Sequence, residues 1–137
     1  MLRGMTTVSY WAADMEAARS WYTELLGVEP YFERPGGGEP AGYLEFRIGD
    51  YQHELGLVDA RYRPPTDATE QGGSILYWAV DDVHATFDRL LALGATAHDK
   101  PTPRGDSGFV TASVVDPFGN VLGVMENPHY HEVLAGR

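Results

Sequence analysis

Two short runs in this sequence place histidine beside a carboxylate: His53-Glu54 and His129-Tyr130-His131-Glu132. These residue types bind first-row metals and move protons near neutral pH. Adjacent residues of a strand point to opposite faces, so an extended His53-Glu54 does not chelate as a pair. Glu54 is then a candidate general base, or an anchor for a cationic ligand, with an ion pair to Arg47 as the competing reading. The His129/His131 run needs a rigid frame to hold a metal. It follows Pro128 with no strand after it, and reads as a tail packed on the surface or on a dimer partner. His84 falls in the first turn of a helical stretch, and His98 has no evident partner. No cysteine is present, which removes disulfides, thiolate nucleophiles and cysteine-ligated metals. There is no Gly-x-Ser-x-Gly nucleophile elbow. The glycines of residues 35–40 lack the lysine and helix start of a phosphate loop, and read as a turn.

A duplication positions these residues. Ser9-Tyr10-Trp11-Ala12-Ala13-Asp14 leads to Leu25-Leu26-Gly27, and Leu76-Tyr77-Trp78-Ala79-Val80-Asp81 leads to Leu91-Ala92-Leu93-Gly94, at one common offset. Module one, residues 6–58, opens with a strand over 6–12. Asp14 caps a helix over 15–26 whose Ala18, Trp21, Tyr22, Leu25 and Leu26 recur at helical spacing, and Gly27 ends it. A short strand over 28–34 follows. In 43–48, Leu44, Phe46 and Ile48 alternate with Glu45 and Arg47. Gly49-Asp50 reads as a two-residue turn into a strand over 51–58. That strand carries Leu55 and Leu57 on one face and Gln52, Glu54 and Gly56 on the other.

Residues 59–73 form a linker without apolar periodicity. Module two, residues 74–126, repeats the plan. It has a strand over 74–80 and a helix capped by Asp81 or Asp82 with Val83, Phe87, Leu90 and Leu91 inward. Gly94 ends that helix. A short strand over 95–98, a loop over 101–108 and a strand over 109–115 come next. Asp116-Pro117-Phe118-Gly119-Asn120 then connects to a last strand over 121–126. Residues 127–137 are a tail.

The formal net charge of −10 disfavours nucleic acid and favours a cationic ligand at long range. No apolar stretch is long enough to span a bilayer, and no signal-peptide run opens the chain, so a cytoplasmic protein is expected.

Taken in order, Asp14 with Ser20-Trp21-Tyr22 and Leu25-Leu26-Gly27, Val80-Asp81-Asp82-Val83 with Gly94-Ala95, and Asp116-Pro117-Phe118-Gly119-Asn120 resemble the vicinal oxygen chelate superfamily, which includes glyoxalases, bleomycin-resistance proteins and dioxygenases. The resemblance covers residues 6–126. It implies one domain over 1–137 of class α+β, in which paired βαβββ modules form a cupped mixed sheet round a cavity, and it implies a homodimer.

Family enzymes take metal ligands from the first and last strands of each module. Counting back from the helix caps puts Thr7 and Ile75 (Ser74 if Asp81 is the cap) at the first-strand positions. Asp82 is the preferred anchor. Gly56 and Gly123 take the last-strand positions, with Glu54 if the first shifts by two. Threonine, isoleucine and glycine do not replace imidazole or carboxylate as ligands. No metal or other cofactor is therefore expected, and a divalent metal is the alternative.

The remaining inward positions describe a ligand pocket: Thr7, Ser9, Trp11, Arg47, Gln52, Glu54, Tyr77, Thr111, Ser113 and Met125. Tyr10 and Trp78 are expected to pack on the helices. A mostly apolar concavity with sparse polar groups suits a small organic molecule, planar or cationic and antibiotic-like. The alternative is an enzyme of the same fold, a lyase, isomerase or dioxygenase, working through Glu54 or an unusual ligand set that includes His53 or His129.

Overall fold

Asp14 and Asp82 set the start of two helices. Each carboxylate accepts the backbone N–H three residues on, that of Ala17 or of Ala85, at 3.0 Å. The computed structural model describes residues 1, 3, 5–35, 41–63 and 74–136. The helices are α1 (Met15–Leu26) and α2 (Val83–Ala92). Gly27 closes α1 in the left-handed conformation, as its position in sequence leads one to expect.

The chain divides into two compact units, Met1–Asp67 and Ala68–Arg137. In the first, β1 (Thr7–Ala12), β2 (Phe32–Pro35), β3 (Ala41–Ile48) and β4 (His53–Asp59) form a sheet of order β1-β4-β3-β2. In the second, β5 (Leu76–Ala79), β6 (Thr96–Pro103), β7 (Val110–Val115) and β8 (Val121–Glu126) form a sheet of order β5-β8-β7-β6. Both sheets are mixed. The first strand runs parallel to the last, and the other pairs are antiparallel. Each unit is thus a βαβββ module of the expected α+β class.

Alternation sorts the side chains. Leu44, Phe46, Leu55 and Leu57 are buried on the face that receives Met15, Ala18 and Tyr22 of α1. Tyr10 joins them, its ring 6.1 Å from that of Tyr22. In the second unit Ala112, Val114, Leu122 and Val124 meet Val83, Phe87 and Leu90. Each such Leu or Phe contributes about 1.5–3 kcal/mol by leaving water. Trp78 shares the face of Val124, and Trp21, Leu25, Leu26 and Leu91 are half-buried at the margins.

Several boundaries differ from the sequence reading. β2 begins at Phe32 because Pro30 has no N–H to pair, and Tyr31 makes the first bond to β3, to the carbonyl of Glu45. The turn after β3 spans residues 49–52, with Ile48 paired to His53. Gly49 and Gln52 both take positive φ there. The two-residue difference keeps Leu55 and Leu57 on the core face, because side chains repeat every second residue. In the linker Ala60–Tyr62 forms a single 3₁₀ turn. Its residues 64–73, like the turn glycines 36–38, lie outside the described residues.

β5 is shorter than expected. β6 is longer, and takes in Pro101 and Pro103 from the expected loop. It is an edge strand, where a missing N–H costs no ladder bond. Residues 128–135 are not an irregular tail but a helix, α3 (Pro128–Ala135). Asn127 caps it by accepting from Tyr130 N–H at 3.1 Å, and Pro128 occupies its first turn.

The β7–β8 connection rests on a nearly enclosed Asp116. Its carboxylate accepts the backbone N–H groups of Phe118 and Asn120 at 2.9 and 2.7 Å and the Asn120 amide at 2.9 Å. Asp116→Ala leaves those donors without an acceptor and should lower stability by about 2–3 kcal/mol. A lower urea midpoint with an unchanged m-value will show it. Asp116→Asn keeps one oxygen and should lose less.

Candidate functional site

The face of the first sheet turned away from α1 carries polar and aromatic side chains. Register places Thr7, Ser9 and Trp11 of β1 there, with Glu54, Gly56 and Val58 of β4, Tyr43, Glu45 and Arg47 of β3, and Phe32 of β2. Parallel pairing sets Thr7 directly opposite Glu54, and its hydroxyl donates to Glu54 Oε2 at 2.7 Å. On the next strand Tyr31 and Tyr43 donate their hydroxyls to the two oxygens of Glu45. The Arg47 guanidinium stands 4.4 Å from the ring centroid of Tyr31. Arg47 and Glu54 are cross-strand partners, yet the described residues contain no ion pair between them, so that competing reading of Glu54 falls.

Gly56 makes room for the Tyr43 ring. A Cβ added there would lie 2.8 Å from the tyrosine oxygen. Phe32 packs edge-on against the same ring, with centroids 6.3 Å apart. Tyr31 and Phe32 remain exposed. Burial, and next the Glu54 charge, raise the Glu45 carboxyl above its ordinary range, against a smaller opposing effect of Arg47. The same two causes raise the Tyr43 phenol, which stays protonated and able to donate.

The other expected site residues fall in two places. Gln52 is not on the strand. It lies in the turn, and its side-chain amide donates to Gly49 O at 3.1 Å. Tyr77, Thr111, Ser113 and Met125 share the face of the second sheet turned away from α2. The Tyr77 ring covers Gly123 so closely that a Cβ there would lie 2.6 Å from a ring carbon. Ser113 and Thr111 are buried. Their hydroxyls bond His98 Nδ1 at 2.8 Å and Arg104 Nε at 3.0 Å. His98 therefore has a partner, contrary to the sequence reading.

Asp82, not Asp81, caps α2, so Ile75 holds the first-strand position that a metal ligand would need. Thr7, Glu54 and Ile75, with tyrosine rings covering both last-strand glycines, do not fit a first-row metal. Among the described residues no group of three His, Asp or Glu side chains could hold one. His53 is exposed beside Tyr51 and points away from Glu54's face. His129 and His131 project roughly 200° apart around α3. They pair separately, with Glu132 at 3.8 Å and Asp81 at 3.9 Å. The cleft of about 360 Å³ between Asp81, Glu126 and α3 is also occupied chemically, since Glu126 accepts Val83 N–H at the start of α2.

Tyr31, Phe32, Tyr43, Glu45 and Arg104 were not among the residues expected at a site. One signal was available: a glycine inside a strand marks the close approach of another group, and Gly56 and Gly123 each lie under a ring. The Glu45 shift also has a measurable consequence. The folded state favours the protonated carboxyl. Its stabilising contribution is therefore complete below the ordinary value of 4.5 and is lost as pH rises through the raised one. Urea unfolding of wild type and Glu45→Gln across this range should show wild type losing stability relative to the variant as pH rises.

Among solved structures the chain is similar to a glyoxalase-related enzyme from Fulvimarina pelagi (TM-score 0.68, 19% identity, covering 93% of this chain and 90% of that one). It is similar also to a lactoylglutathione lyase from Agrobacterium tumefaciens (TM-score 0.65, 23% identity, 90% and 93%). A third similar structure, solved by solution NMR, is another protein of Agrobacterium tumefaciens (TM-score 0.71, 22% identity, 91% and 98%). At these identities the likeness is one of fold. No curated protein sequence matches the chain. The family model described as the glyoxalase/bleomycin resistance protein/dioxygenase superfamily matches residues 4–124. With two βαβββ modules in the same order, the chain belongs to that superfamily.

Proposed function

We propose that the chain binds a small, planar, cationic organic molecule on the face of the first sheet turned away from α1. Membership of the superfamily is consistent with a small-molecule site. The observation that carries the finer reading is the placement of Glu45 and Glu54 on one face, among the rings of Tyr31, Phe32, Tyr43 and Trp11. Carboxylates held by tyrosine and threonine hydroxyls are oriented before a ligand arrives, which reduces the ordering cost of binding. Aromatic faces attract a flat cation, by about 0.5–2 kcal/mol for each good contact. The net charge of −10 favours its approach. Arg47, drawn onto Tyr31, leaves Glu54 without a cationic partner among the described ion pairs. The family's metal positions fit a metal poorly, and no chemical step is assigned. A homodimeric state belongs to the same proposal and rests on the resemblance alone.

Proflavine, a planar fluorescent cation, and fluorescein, a planar anion, separate charge recognition from simple stacking. Proflavine anisotropy should rise saturably with protein, and fluorescein should not. Glu45→Gln and Glu54→Gln should each weaken proflavine about tenfold, the loss expected for one charge-assisted contact. Equal binding of both dyes, or wild-type affinity in both variants, would refute the reading.

A further inference from the structure

β6 departs from regular pairing at one place that matters. Ala97 stands opposite Val114 and Asp99 opposite Ser113, so His98 and Asp99 both face Ser113 across a bulge. In a regular strand adjacent residues point to opposite faces; a bulge brings two residues against one partner and re-aims their side chains. His98 Nδ1 lies 2.8 Å from Ser113 Oγ, and Asp99 holds Arg104 Nη2 at 3.0 Å. Arg104 Nε reaches Thr111 Oγ1, which alternation places on the same face as Ser113.

Ser113 is 1% exposed, so its hydroxyl acts as a fixed point inside the sheet surface. The imidazole that it holds is exposed. With Nδ1 engaged, Nε2 is the nitrogen available to a ligand, and the Ser113 hydroxyl is able to accept from Nδ1–H as well as to donate to a bare Nδ1. The guanidinium of Arg104 has five N–H donors, and the bonds to Thr111 and Asp99 fix its plane. One cross-strand row runs from Tyr77 through Gly123 and Ser113 to Asp99, and the Tyr77 ring lies over Gly123 with part of its surface open.

We infer that this face of the second module is a binding site for a planar compound carrying an acidic hydroxyl, a phenol or an enol. The ligand hydroxyl donates to His98 Nε2. Its O–H proton passes to that nitrogen, and the electron pair stays on the ligand oxygen as a phenolate or enolate. The imidazolium then carries the proton, with Arg104 as the second cation of the face. Proton acceptance requires the Nδ1–H tautomer, whose N–H donates to Ser113 Oγ. Ser113 is thus a positioning residue that acts through His98. The site lies wholly in the second module and does not depend on the cation site proposed for the first.

The test uses the full chain and 4-nitrophenol, whose phenolate is yellow, at a pH where the free compound is mostly neutral. Wild type should produce saturable phenolate absorption. 4-Nitroanisole, which stacks alike but has no hydroxyl proton, should not compete. His98→Gln, a change on an exposed edge strand, should abolish the colour. Ser113→Ala should weaken it several-fold, and long-range ¹⁵N spectra of His98 should change from one tautomer to a mixture. No saturable colour in wild type, undiminished colour in His98→Gln, or competition by 4-nitroanisole would overturn the inference. So would a Ser113→Ala protein that keeps both affinity and a single tautomer. If Ser113→Ala does not fold, His98→Gln and 4-nitroanisole decide the question.

Discussion

The parallel pairing of first strand with last is the constraint on which both modules depend. β1 pairs with β4, and β5 with β8, in the same direction. Parallel neighbours need a long connection, so the helix and two further strands lie between them in sequence. The helix covers one face of the sheet, and the alternate residues of every strand are left to the other. Thr7 opposite Glu54, and Tyr77 opposite Gly123, follow from that register. A slip of one residue would turn Glu54, Glu45 and Tyr43 toward α1 and bring Leu44 and Leu55 to the outer face.

Within that frame the two modules have used equivalent positions differently. A glycine of the last strand lies under a tyrosine ring in each, but the rings come from different strands: Tyr43 from β3 and Tyr77 from β5. The first module surrounds its tyrosine with Glu45, Glu54 and a second phenol, that of Tyr31. The second surrounds its tyrosine with Ser113, Thr111, His98 and Arg104. One face is therefore acidic and aromatic, the other hydroxyl-lined with histidine and arginine. The repeated scaffold thus carries different side chains at its outward positions.

The helices were legible because their signals are local. Asp14, Asp82 and Gly27 act within one turn of where they stand, and the spacing of Ala18 and Tyr22, or of Val83, Phe87 and Leu90, states which side is buried. The polar alternation of β3 was legible for the same reason. Less visible were features that depend on a partner strand. Pro101 and Pro103 look like loop residues until β6 is seen to be an edge strand. Asn127-Pro128 is a helix start that also reads as a chain turning away. His98 has no partner legible in local spacing because Ser113 lies on another strand, and the bulge that adds Asp99 beside it exists only in the pairing.

The duplicated βαβββ plan, the capped helices, the core faces and the lack of ligand-type residues at Thr7, Gly56 and Gly123 are legible in residue types and spacing alone. These depend on residue type and on periods of two or 3.6 residues, which a single chain displays directly. Only the tertiary structure decided that Thr7 holds Glu54, that Tyr31 and Tyr43 hold Glu45, that Arg47 turns to Tyr31, and that Ser113 holds His98. Those contacts join groups far apart in sequence or on different strands. Their geometry comes from strand register and from side-chain packing across the sheet, and neither is written in local spacing.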